Sequence, residues 1–205
     1  MDRSTAGFTL VEVTVLLAVV GLLVSLMAGS AGDALQHART LRTREDVQQI
    51  GKAIASFYAD NGFFPRTDDV RDGRSGTRLL GSLVSTAPLP DTTPSTGLWT
   101  ESRFDLLSAH LTRNIPGYRV RDPLARLGWA GPYLTSEVEG DAWGLAYVVN
   151  VFYLDPRDIL LDLDGTPLGA VYVLSAGPNG ILETPYYQPR DNATIYGDDI
   201  GFRLQ

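Results

Sequence analysis

Between Phe8 and Gly32 the chain is almost wholly apolar, and the only charged side chain in that stretch is Glu12, close to its start. As a single helix the stretch rises about 37 Å, enough to cross a bilayer whose hydrocarbon core is roughly 30 Å thick. A carboxylate inside such a segment costs several kcal/mol unless it is paired, so Glu12 reads as a functional residue with a partner to be found. Two plainer readings exist. A secretory signal peptide could be cut near Ala28-Gly29-Ser30-Ala31, and an ordinary single-span anchor needs no cut. Neither explains Glu12.

The run Gly7-Phe8-Thr9-Leu10-Val11-Glu12 resembles the processing and methylation motif of the type IV pilin and pseudopilin superfamily. The resemblance implies that residues 1–7 are a leader cut after Gly7 by prepilin peptidase. Phe8 then becomes the N-methylated first residue, and Glu12 is the assembly glutamate. Arg3 is the leader's only basic side chain and Asp2 partly offsets it, which weakens the positive-inside signal without removing it. The location implied is the inner membrane, single-pass with a periplasmic C-terminal domain, and a periplasmic filament after assembly.

Past Gly32 the sequence turns polar but keeps a helical rhythm, with Leu35, Ala38, Leu41, Val47, Ile50, Ile54, Phe57 and Tyr58 at three- and four-residue steps. Arg42, Arg44, Glu45, Asp46 and Lys52 supply the solvated side. The spacing predicts one helix from Phe8 to Asp60, with residues 8–32 as a membrane-spanning and assembly half and residues 33–65 as an amphipathic half. It stops at Asp60-Asn61-Gly62, where glycine can take the left-handed cap, and Pro65 blocks a restart. Tyr58-Ala59-Asp60-Asn61-Gly62-Phe63-Phe64-Pro65 also resembles the helix-ending stretch of major pseudopilins of type II secretion. Phe63 and Phe64 are expected to fold back onto the helix.

Residues 66–205 form a domain of ordinary size. A hydrophobic content of 44% and a charged content of 20% suit a folded chain. The net charge of −7, with no cluster of Lys and Arg, argues against nucleic acid as a partner. The absence of cysteine excludes disulfides, thiolate zinc and iron–sulfur ligation. His37 and His110 read as separate solvated side chains rather than a shared metal site.

Residues 66–128 are rich in Pro, Ser and Thr and read as a variable insertion, with one short helix expected from Glu101 to Leu111. The blocks Gly128-Trp129-Ala130-Gly131-Pro132-Tyr133-Leu134 and Asp141-Ala142-Trp143-Gly144-Leu145-Ala146-Tyr147 resemble two turn blocks of major pseudopilins, with Ala142 where Pro is usual. Their aromatics pin tight turns, the alternative being an exposed ligand-binding patch at Trp129, Tyr133 and Trp143. Strand-like runs at 146–154, 159–163 and 170–175 predict an antiparallel meander for the helix to pack on. The fold class expected is therefore α+β, a long N-terminal helix packed on a small antiparallel sheet.

Leu174-Ser175-Ala176-Gly177-Pro178-Asn179-Gly180-Ile181 and Gly197-Asp198-Asp199-Ile200-Gly201 resemble the calcium loop of the major pseudopilins. The resemblance implies charge from Asp198 and Asp199, a side-chain oxygen from Asn179, a hydroxyl or carbonyl from Ser175, and carbonyls from Leu174 and Ile181. Calcium accepts six to eight oxygens in a flexible shell, which such a set can approach. Asn179 stands where the family usually has Asp, so one charge is missing; the alternative is an Asx turn with a solvated acidic pair. A second oxygen cluster, Asp155, Asp158, Asp162 and Asp164, lacks the closing Glu of an EF-hand and reads as a hairpin turn.

Together these features imply a non-enzymatic structural subunit of a type II secretion pseudopilus, assembled into a filament that drives protein export. Its partners would be prepilin peptidase, an inner-membrane assembly platform, other pseudopilins and further copies of itself. A type IV pilin or minor pseudopilin, and a membrane-anchored binding or hydrolytic domain, are the alternatives. No Ser-His-Asp, Cys-His or zinc-ligand spacing supports hydrolysis.

Overall fold

The computed structural model describes residues 7–65, 81–101, 103–122, 127–151 and 169–204. The chain divides into two units, Met1–Arg39 and Thr40–Gln205. Helix α1 runs from Leu10 to Asn61. Its N-terminus is closed by Thr9, whose backbone N and hydroxyl both donate to Glu12 Oε2 (2.9 and 2.8 Å) while Glu12 N donates to Thr9 Oγ1 (3.2 Å). This is a capping box, which satisfies donors that the first helical turn leaves free. At the other end Gly62, at φ +76°, donates to Tyr58 O at 2.8 Å. The expected stop is where the helix ends.

The membrane-spanning reading of residues 8–32 is overturned. Among the described residues no helix is long and apolar enough to cross a membrane. The apolar run of α1 begins at Leu10. Asp33, Gln36, His37 and Arg39 then follow on the same helix, all exposed or half-exposed. The transmembrane segment and the inner-membrane, single-pass placement with a periplasmic domain fall with it.

The sheet corrects a second expectation. Strands β1 (Gly81–Val84), β3 (Arg103–Leu106), β4 (Val148–Val149), β5 (Tyr172–Ser175) and β7 (Ile200–Arg203) form one five-stranded sheet in the order β3-β1-β4-β5-β7. It is mixed rather than antiparallel, because β3 pairs with β1 in parallel, Gly81 opposite Arg103 and Val84 opposite Leu106. The pairs β1–β4, β4–β5 and β5–β7 are antiparallel. A parallel neighbour needs a crossover connection, which residues 85–102 supply. They contain β2 (Asp91–Thr92), which pairs in parallel with β6 (Ile181–Leu182), and the helical turn α2 (Leu98–Glu101). The single helix expected over 101–111 is thus broken: Glu101 ends α2, Arg103-Phe104-Asp105-Leu106 is an edge strand, and α3 covers Leu107–Leu111. The expected strand at 159–163 and the cluster Asp155, Asp158, Asp162 and Asp164 lie outside the described residues.

Alternation along β4 and β5 splits the core between the two faces of the sheet. Tyr147, Val149, Val171 and Val173 pack with Val47, Ile50, Ile54 and Phe57 of α1. Full burial of each aliphatic or Phe side chain there contributes about 1.5–3 kcal/mol. Val148, Tyr172 and Leu174 face the opposite way, onto Trp99, Leu182 and Tyr186. Gly51 lets the helix approach β7, since a Cβ there would overlap the Phe202 ring. Tyr147 adds a polar tie by donating to Asp46 Oδ2 at 2.8 Å, and burial, then the Asp46 carboxylate, push its phenol far above the ordinary value.

Trp129 and Tyr133 are packed against the core rather than set on an exposed patch, and Trp143 is half-buried. Phe57 meets Tyr118, Tyr133 and Phe63 edge-on at ring separations of 4.9, 5.5 and 5.9 Å. Trp129 packs on Tyr133 at 5.9 Å, and Phe64 stacks on Tyr58 at 4.3 Å. Asn61 Nδ2 donates to Phe57 O (2.9 Å) and Tyr133 Oη (3.2 Å), and Gly128 N donates to Asp60 O (2.7 Å), so the 128–134 block seats on the end of α1.

Candidate functional site

Three places hold the chemistry the sequence singled out. The first is the start of α1. Gly7 and Phe8 precede the helix and are exposed, Phe8 to 87%. Leu10, Val11, Leu16, Leu17, Leu22 and Leu23 are each more than half exposed in the single chain, so the apolar helix lacks cover on every side. Glu12 shares a groove with Phe8, Val11, Val15, Leu16, Val19 and Val20. Among the described residues its polar partner is Thr9 of the same chain. Thr-x-x-Glu is the sequence signal for this cap, which the reading of Glu12 as an assembly carboxylate passed over.

The second is the C-terminal oxygen-rich loop, which brings part of the expected ligand set together. Asn179 N donates to Asp198 Oδ2 at 3.1 Å, and Asn179 Oδ1 accepts from Ile181 N at 2.7 Å, which is the Asx turn. Asp199 Oδ2 accepts from Glu183 N (3.0 Å) and Thr184 N (2.7 Å), linking β7 to the segment after β6. Gly177, at φ +67°, lies against Asp198 so closely that a Cβ would overlap its backbone. Ser175 is committed elsewhere: its hydroxyl donates to Asp141 Oδ2 at 2.6 Å and accepts from Gly177 N at 3.1 Å. Leu174 is buried in β5, whereas Ile181 is 37% exposed in β6.

The acidic pair is not solvated as a free pair would be. Asp199 is 8% exposed, and Asp198 Oδ1 and Asp199 Oδ1 are both buried without a hydrogen-bond partner among the described residues. Burial pushes the Asp199 carboxyl above its ordinary value, although the donors at Thr184 and Glu183 oppose the shift. Leaving a carboxylate oxygen buried and bare is costly, and a bound cation removes that cost. A bare carboxylate oxygen of this kind suits an oxygen-seeking ion such as calcium. Among the described residues no three His, Cys, Asp or Glu side chains converge as a metal-holding group. An ion here would rest on two carboxylates with neutral oxygens. Sequence reasoning missed Glu183, whose Oε2 accepts from Asp198 N at 3.0 Å, and Asp141. Neither sits in a ligand motif.

The third is His110, expected to be solvated and found fully buried on α3. Its Nε2 lies 3.0 Å from Asp105 Oδ2 and its Nδ1 lies 2.6 Å from the Tyr118 hydroxyl. With Nε2–H donating to the carboxylate, Nδ1 accepts the Tyr118 O–H, so both ring nitrogens are satisfied. The hydrogen bond from His110 holds the Asp105 carboxyl below its ordinary value, against partial burial. Together with Trp129 Nε1 donating to His110 O at 3.3 Å, this chain ties β3, α3 and the 118–129 segment. His37 is exposed on α1.

Comparison with protein-family models, with curated proteins and with solved structures finds no match.

Proposed function

We propose that the chain is a non-enzymatic filament subunit of the prepilin class, most similar to the major pseudopilin of a type II secretion system. The observation that carries this reading is the apolar helix from Leu10 onward, exposed on every side and carrying one carboxylate at its start. Monomeric proteins rarely leave so much contiguous apolar surface in water, and a bundle of like helices would cover it. Cleavage by prepilin peptidase after Gly7 would free the amine of Phe8. Glu12 of one subunit would pair with the Phe8 amine of a neighbour, so that both charges enter the apolar bundle as a pair. Other pseudopilins and an assembly platform would be the remaining partners.

Calcium would be held by Asp198 and Asp199, with Asn179 and the carbonyls of Leu174 and Ile181 completing the shell. It would neutralise the bare carboxylate oxygens and tie β7 to the loop after β5. Ser175 has a different role in this reading, because its hydroxyl already orients Asp141.

Glu12 caps its own helix, so the decisive comparison is Glu12→Gln with Glu12→Ala. Gln retains a capping-box acceptor but carries no charge, whereas Ala loses both. Expected for Glu12→Gln are a mature N-terminus at methylated Phe8 by mass spectrometry, unchanged helix content, and no filaments. Normal filaments from Glu12→Gln would refute the charge-pairing role. An uncut N-terminus in the wild type, in cells that hold prepilin peptidase, would refute the class.

A further inference from the structure

We propose that Asn179 is a spontaneous deamidation site. The chain contains two Asn-Gly pairs, Asn61-Gly62 and Asn179-Gly180, and the fold treats them in opposite ways. Asn61 is 5% exposed, and its Nδ2 is held by Phe57 O and Tyr133 Oη. Asn179 is exposed, and its Nδ2 has no hydrogen bond to the described residues.

The local geometry of Asn179 also favours the chemistry. Its Oδ1 accepts from Ile181 N at 2.7 Å, which draws electron density from the amide carbon and makes it more electrophilic. The attacking atom is the Gly180 nitrogen, whose own bond to Gly177 O is long, 3.4 Å, and so holds it weakly. Gly180, at φ +74°, carries no Cβ to crowd the approach. The Gly180 nitrogen loses its proton to a solvent base and bonds to Asn179 Cγ. The Cγ–Nδ2 bond breaks and ammonia leaves, giving a cyclic imide. Water then adds to either imide carbonyl and opens the ring to aspartate or isoaspartate at 179.

The aspartate product places a new carboxylate on the residue that already hydrogen-bonds Asp198 through its backbone. It adds charge to the loop that holds Asp198, whose Oδ1 is bare. Deamidation would thereby strengthen calcium binding, whereas isoaspartate, which lengthens the backbone, would break the turn. This consequence rests on the calcium part of the proposed function; the modification itself does not.

The test is peptide mapping by mass spectrometry of the full chain, aged in mildly alkaline buffer with and without urea. In the folded chain Asn179 converts at least about tenfold faster than Asn61, because Asn61 reacts only after its hydrogen bonds and the helix end open. In urea the two rates converge. Equal rates in the folded chain, or conversion of Asn61 alone, would overturn the proposal. Melting of Asn179→Asp separates the second point: a calcium-induced rise in Tm larger than that of unaged wild type supports the gain in binding. A rise no larger than wild type overturns that gain and leaves the mapping result standing.

Discussion

Asp141 offers the sharpest test of how the domain is held together. It is 5% exposed, and its two oxygens accept three hydrogen bonds: Ser175 Oγ at 2.6 Å on one, Trp143 N and Leu145 N at 2.9 Å each on the other. Asp141→Ala removes all three acceptors. Charge-assisted bonds contribute about 1.5–3 kcal/mol each, but such terms do not simply add. Trp143 and Leu145 lie in a half-buried turn that water can reach, whereas Ser175 is fully buried. The full penalty therefore falls on the Ser175 hydroxyl, with a smaller cost at the turn. The expected loss is about 3–4 kcal/mol, or roughly 6–16 °C in Tm for a domain of this size. Asp141→Asn can keep the two backbone donors on its carbonyl oxygen while its NH2 faces Ser175. The hydroxyl can accept from that NH2 but then lacks an acceptor of its own, so the expected loss is about 1 kcal/mol. Chemical and thermal denaturation of both variants measure the difference. Equal losses for Ala and Asn, or an Ala variant within about 1 kcal/mol of wild type, would refute the assignment of Asp141 as the acceptor that secures the turn to β5.

The calcium reading predicts that saturating calcium raises the wild-type Tm, by about 5–10 °C if the ion reaches a hundred times its Kd. Asp199→Asn should remove that rise, while in chelator it matches or exceeds wild type because a buried charge has gone; a wild-type Tm indifferent to calcium would count against the site. Asp105, with its carboxyl lowered in the folded state, contributes stability present above the ordinary carboxylate value and lost as pH falls through the folded value. A pH series of melts should therefore show a steeper acid loss in wild type than in Asp105→Asn, with a modest difference because the Asp105 side chain is 47% exposed. Gly51→Ala drives a methyl into the Phe202 ring and should cost about 1–3 kcal/mol, part of it recovered by adding Phe202→Leu.

The amphipathic half of α1, its stop at Gly62, the turn-pinning aromatics and the short strand β5 were legible in the sequence, because each depends on interactions within a few residues. Period 3.6 selects Val47, Ile50, Ile54 and Phe57, a glycine at positive φ ends the helix, and β-branched residues favour an extended chain. The Asn179 turn belongs to the same class, since its bond to Ile181 N spans two residues. Even the strand Arg103–Leu106 carried a local signal in its alternation of polar and apolar side chains, but the apolar positions Phe104, Leu107, Ala109 and Leu111 suggested one continuous helix.

Tertiary structure decided what local pattern does not encode. The parallel pairing of β1 with β3 is set by the path of residues 85–102, and register between distant strands has no short-range signature. Burial of His110 depends on Asp105 and Tyr118 arriving from separate segments to satisfy both ring nitrogens. The redirection of Ser175 toward Asp141, across 34 positions of sequence, follows from the same cause. So does the pair of bare oxygens on Asp198 and Asp199, because whether a carboxylate is solvated or stranded depends on what packs over it. A local motif can specify which groups are present; only packing determines which of them are left without a partner.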